Sequence, residues 1–158
     1  MVNMKSQTIS LLLIFLIITC VGCGTLGSFN VITFRTSKQN LANAIDTLFA
    51  QHPEYKIPDK WKSYDDWKQR GYDFLDSRIF YFKSEPEEMY YVSVNVADDS
   101  VKDDMKGADI SIRAVNNGSS HWKLENETSS SDEKRIEERF EKEIISKLEE
   151  YTGTKAIE

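Results

Sequence analysis

The segment Met89 to Val96 alternates residue by residue, with Tyr90, Val92, Val94 and Val96 on one side and Tyr91, Ser93 and Asn95 on the other. Ile110 to Ala114 repeats the pattern, setting Ile110, Ile112 and Ala114 against Asp109, Ser111 and Arg113. A period of two marks a strand, because successive side chains leave a pleated backbone on opposite faces. The polar second face narrows the choice further. Parallel sheets are covered on both sides and read as continuous apolar runs, so an alternating run belongs to an antiparallel sheet with one side in water. Two other runs complete an expected set of about four strands. Ser77 to Lys83 is apolar on both faces through Ile79, Phe80, Tyr81 and Phe82, and a final run sets Trp122 and Leu124 opposite His121, Lys123 and Glu125. Glu85-Pro86-Glu87-Glu88 and Asn116-Asn117-Gly118 supply turns. On this register Tyr91, Ser93, Asn95, Ser111, Arg113, Lys123 and Glu125 project into solvent.

Helical stripes flank the strands. Leu41, Ile45, Leu48 and Phe49 fall at i, i+4, i+7 and i+8 behind a capping-box pair, Thr36 and Gln39, with Ser37 as the alternative cap. That helix ends near Gln51, ahead of Pro53. At the other end Ser130 and Glu133 form a capping box, Ile136, Phe140, Ile144, Leu148 and Tyr151 form the stripe, and Gly153 occupies the C′ position. Phe29 to Phe34 reads as a short strand and Asp59 to Arg70 as a short helix closed by Gly71. The order predicts a two-layer α+β domain, an antiparallel sheet of about four strands with the N- and C-terminal helices packed on one face.

The first 23 residues are of a different kind. Lys5 supplies a positive start, Leu11 to Ile18 is an unbroken apolar run, and Thr19-Cys20-Val21-Gly22 leads into Cys23. The run is shorter than the roughly 20 apolar residues that cross a bilayer and suits a cleavable export signal. Lys5 through Gly24 resembles the lipobox signal of bacterial lipoproteins, in which small residues precede a cysteine that receives a diacylglyceryl group and becomes the new N-terminus. Cys23, with Gly22 before it, is the expected acylation site, and Cys20 is the alternative. The domain behind it is similar to small outer-membrane-type lipoproteins without assigned activity, so the resemblance carries over only the lipid on Cys23. It implies a signal peptide over residues 1–22, an acylated tether over 23–28 and a single domain over 29–158. The lipid implies a membrane partner and a cell-envelope location. By the sorting rule of that class, Gly24 after the cysteine, in place of an aspartate, points to the outer membrane, and the lack of an acidic cluster after Cys23 points to its periplasmic face.

Removing the leader takes one of the chain's 20 basic residues, Lys5, and leaves 19 against 26 acidic ones. An acidic body lacks the Lys and Arg surface that phosphate backbones require, which argues against nucleic acid. Beyond Cys23 there is no cysteine, so disulfides and thiolate metal sites are excluded from the domain. The sequence holds two histidines, His52 and His121, and no HExxH, GxGxxG or GxxxxGK[ST] pattern, which leaves no expected metal or cofactor. Two features carry candidate chemistry. Trp61, Tyr64, Asp65, Asp66 and Trp67 bring rings and carboxylates together as sugar-binding surfaces do, although the same rings serve to complete a core. Asp98, Asp99, Asp103 and Asp104 gather oxygens in one loop but lack EF-hand spacing. The leading expectation is an anchored, non-enzymatic binding or protein-interaction domain whose partner is another envelope protein. A small carbohydrate-binding lipoprotein that takes a glycan is the alternative, and a carboxylate-dependent hydrolase is a third.

Overall fold

A computed structural model describes residues 27–97 and 107–157. The leader, Cys23, Cys20 and the Asp98–Asp104 loop lie outside the described residues. The strands are β1 (Val31–Phe34), β2 (Ser77–Phe82), β3 (Glu88–Val96), β4 (Ala108–Asn116) and β5 (Ala156–Ile157). They form one sheet in the order β2-β3-β4-β1-β5, with every neighbouring pair antiparallel. Helix α1 (Lys38–Gln51) follows β1. Helix α2 (Ser130–Phe140) passes through a π-helical turn (Glu141–Ile145) into α3 (Ser146–Thr152). This is the α+β class that the periodicities predict. Five strands stand where about four were expected, because the short N-terminal strand is an interior member of the sheet and the C-terminal residues pair with it.

The helices cover one face. Ile32 and Phe34 of β1, Phe80 and Phe82 of β2, Tyr90, Val92 and Val94 of β3, and Ile110 and Ile112 of β4 join Leu41, Ile45 and Leu48 of α1 in one core. Ile136, Phe140, Ile144, Ile145 and Leu148 close it from the C-terminal helices. The caps sit one residue away from the first-choice pairs. Ser37 Oγ accepts from the Asn40 N–H at 3.2 Å, and Ser129 Oγ accepts from the Asp132 N–H at 3.2 Å. A serine itself in extended conformation satisfies an orphan helix donor in both cases. Gly153 closes α3 in the left-handed region, as its position predicts.

Three expectations fail, each for a local reason. First, the pairing of β3 with β4 shifts between Tyr91 and Val92, so that Tyr91 faces Ala114 while Val92 faces Ile112. Arg113 is the extra residue of a β-bulge, and one extra residue inverts the faces that follow it. Ala114 therefore leaves the side of Ile110 and Ile112, and Val115 joins the helix-facing core instead. Second, the run around Trp122 is not a strand. It makes a single bridge, Val115 with Lys123, and then enters a 3-10 turn (Glu125–Glu127). The Asn116 side chain donates to the carbonyls of Ser119 and His121 and accepts from the Gly118 N–H, holding a wide loop in place of a tight hairpin. Third, Asp59 to Arg70 is a 3-10 helix only over Asp59–Tyr64, followed by turns up to Gly71.

An ion cluster ties α2 to the β2–β3 turn. Glu88 is buried and accepts from both Arg135 terminal nitrogens at 2.8 Å, from Arg139 at 3.2 Å and from the Tyr90 hydroxyl at 3.1 Å. Arg139 also donates to the carbonyls of Pro86, Glu85 and Ser84 and lies over the Phe82 ring. Its hydrogen bonds to the Glu88 carboxylate hold the Arg135 guanidinium protonated more firmly than usual.

Candidate interaction surface

After α1 the chain crosses from the helix layer to the opposite side of the sheet. Tyr55, in a 3-10 turn (Pro53–Tyr55), still packs edge-on against Phe82 on the helix side. Trp61 and Trp67 pack on the far side with Tyr81, Met89, Tyr91, Ala114 and Trp122. The far face was expected to be wet, and half of it is roofed by this aromatic layer. Tyr91, Ser93 and Ser111, assigned to solvent by their alternation, are buried. Alternation reports which residues share a face; it cannot report what a distant segment lays on that face. Arg113 Nε donates to Ser93 Oγ at 2.7 Å, and Asn95 Nδ2 donates to the same oxygen at 3.3 Å.

The candidate sugar-binding residues meet in this layer, and their geometry is that of a core. Trp61 and Trp67 are 8% and 4% exposed. Trp67 stacks flat on Tyr91 at 4.0 Å between centroids and meets Trp122 and Tyr72 edge-on. Trp61 meets Tyr81 and Tyr64 edge-on. Tyr64 donates its hydroxyl hydrogen to the Gly118 carbonyl at 2.9 Å, and Trp122 Nε1 donates to the Tyr64 carbonyl. Asp66 pairs with Arg70 at 2.9 Å, and Asp65 is exposed at the end of the 3-10 helix. No indole face is open for a sugar ring to stack upon.

Gly118 is fitted to this layer twice over. Its φ of +86° lies in the left-handed region, and a Cβ there would stand 3.1 Å from Trp61 Cζ2. Gly71 has a similar φ, +91°, and an added Cβ would meet nothing. Gly71→Ala is therefore expected to cost about 1–2 kcal/mol from backbone conformation alone. Gly118→Ala should cost more by the displacement of Trp61, read as a lower urea midpoint at unchanged m-value. Equal losses in the two variants would show that Trp61 yields freely.

The crossing leaves a groove along β2. Its volume is about 730 Å3, and Phe49, Pro53, Ile57, Pro58, Ile79 and Tyr81 line it. Lys56, Lys62, Lys83, Glu54 and Asp59 ring it. Burial, followed by a hydrogen bond to Glu87, pushes the Tyr81 phenol up to about 12. Lys60 holds the same carboxylate at 2.5 Å. β2 is an edge strand, and the Val94 N–H bond to the Asp76 carbonyl sets the phase of its ladder. Arg78, Phe80 and Phe82 are thus the residues bonded to β3, and Ile79 and Tyr81 turn their N–H and C=O groups outward into the groove. Among the described residues nothing hydrogen-bonds to those outward groups. The sequence showed a run apolar on both faces and a lysine-bearing segment between two prolines. It did not show that they meet, because strand order alone makes β2 an edge.

No protein-family model matches the chain, and no curated protein or solved structure matches it either. The described residues contain no group of three or more His, Cys, Asp or Glu side chains arranged to hold a metal. No helix among them is long and apolar enough to cross a membrane.

Proposed function

We propose that this protein is a lipid-anchored lipoprotein of the cell envelope, held in the outer membrane and facing the periplasm, which presents a protein-interaction domain close to the bilayer surface. The observation that carries the reading is how soon the fold begins after Cys23. The Phe29 ring is already in the core, and the Phe29 N–H bonds to the Ile112 carbonyl at 3.0 Å. Residues 24–28 alone separate the acylation site from the packed body. At about 3.3–3.6 Å per extended residue they reach no further than about 18 Å. Two acyl chains give stable anchoring, at about 0.8 kcal/mol per buried methylene. A body on so short a leash works at the membrane surface. Its acidic excess keeps it from lying flat on anionic headgroups, and this favours a protein partner over lipid as the binding target.

The test is fatty-acid incorporation in cells. The chain should take up labelled palmitate and fractionate with membranes, and Cys23→Ala should lose the label and move to the soluble fraction. Loss in Cys20→Ala with retention in Cys23→Ala would move the anchor to Cys20. An unlabelled wild-type chain that keeps its leader would overturn the anchored reading.

A further inference from the structure

We propose that the open edge of β2 is a docking site for an extended, acidic segment of another protein, which adds beside Ile79 and Tyr81 as a sixth strand and sets its carboxylates against Lys56 and Lys83. The proposal rests on the reading of this domain as an interaction module, and it names the surface and the chemistry of the partner.

Backbone geometry supplies the first argument. Two consecutive outward-facing residues, Ile79 and Tyr81, present unpaired N–H and C=O groups to the groove, and such a row is a template for another strand. The segment beside the edge makes no ladder bond to it: Tyr55 and Lys56 spend their N–H groups on the carbonyls of His52 and Pro53, and Pro53 and Pro58 have none to donate. Apolar side chains line the groove from both faces of the sheet, Phe49 stacked on Phe80 on the helix side and Ile57 and Ile79 packed with the far-side layer.

Charge selects the occupant. Of the acids on the rim, Asp59 is paired with Lys62 at 2.6 Å, and Glu54 lies 3.0 Å from the His52 ring. Lys56 and Lys83 make no salt bridge among the described residues, and three lysines (Lys56, Lys62 and Lys83) line the groove against two carboxylates (Glu54 and Asp59), so its balance is positive although the chain as a whole is acidic. A second copy of β2 is the wrong partner. Residues 77–83 contain no carboxylate, so a second copy of the strand has nothing to set against Lys56 and Lys83. An acidic strand meets the same lysines favourably.

The experiment uses the full chain purified in detergent, with amide hydrogen exchange read by mass spectrometry. The probe is a short peptide alternating valine with glutamate, compared with its valine–lysine counterpart. The acidic peptide should slow exchange across residues 77–83 by about tenfold, and the basic one should not. Lys56→Glu combined with Lys83→Glu changes only exposed side chains and should abolish the effect. Ile79→Pro, which removes an outward N–H, should do the same. Protection elsewhere, equal protection by both peptides, or an unchanged response in the lysine double variant would overturn the proposal. So would protection of 77–83 that rises with protein concentration alone, which would assign the edge to a second copy. Repeating the measurement on Cys23→Ala separates the two readings. Docking should persist there, so failure of acylation and failure of strand addition are distinct results.

Discussion

Glu88→Ala should destabilise the domain by about 3–5 kcal/mol, the range seen when one partner is removed from a buried ion pair. The Glu88 side chain is 8% exposed and stands between Arg135, Arg139 and the Tyr90 hydroxyl. Alanine leaves the Arg139 guanidinium, itself 11% exposed, with only the more distant Glu143 carboxylate at 3.8 Å, in a site that water scarcely reaches. The loss is more than one contact, because Arg139 simultaneously grips the three carbonyls of the β2–β3 turn. Arg135→Ala should cost less, since that side chain is one-third exposed and Glu88 keeps Arg139. Urea unfolding followed by far-UV circular dichroism measures both. A loss below about 1 kcal/mol for Glu88→Ala would place the cluster with exposed surface bridges and refute its role as the clasp between α2 and the sheet.

Trp67→Ala should cost about 3–5 kcal/mol, as full truncation of a buried aromatic side chain does. The ring stacks on Tyr91 and touches Trp122 and Tyr72, so alanine opens a void in the centre of the far-face layer. Trp67→Phe makes the sharper comparison. Trp67 Nε1 is buried without a hydrogen-bond partner, as is the Tyr91 hydroxyl. Phenylalanine keeps part of the stack and removes an orphan donor whose burial costs about 1–3 kcal/mol. Its net effect should therefore fall well short of the alanine loss. Acrylamide quenching supplies the second measurement. The emission should be poorly accessible in the native state and become fully accessible on unfolding. A native protein as quenchable as free tryptophan would mean that the aromatic layer is open, and sugar stacking would return as a reading.

Local periodicity carried much of this fold. Leu41, Ile45 and Leu48, like Ile136, Phe140 and Ile144, announce their helices because apolar spacing and a serine cap act within a few residues of chain. The alternation of Tyr90, Val92 and Val94 announces an antiparallel strand for the same reason. The antiparallel α+β class follows from these patterns. The aromatic segment was legible too, in that large rings in a domain without disulfides were expected to complete a core in preference to binding a ligand.

Long-range facts were not legible. That Phe29–Phe34 lies inside the sheet, with Ala156 and Ile157 beside it, depends on which strands meet across more than a hundred residues. The bulge at Arg113, which sends Ala114 to the opposite face, is a property of the pairing of two strands and leaves no mark on either alone. Tyr91, Ser93 and Ser111 are polar or amphipathic by type and buried by circumstance, covered by a segment and by side chains they meet only in three dimensions. The groove depends on the same step: Lys56, Lys83 and Ile79 become one surface only once β2 is placed at the edge and the proline-bounded crossing is laid beside it. Patterns with periods of two and 3.6 residues are written along the chain because the backbone imposes them locally. Strand order and burial belong to the assembled sheet, where hydrophobic contact is indifferent to distance in sequence.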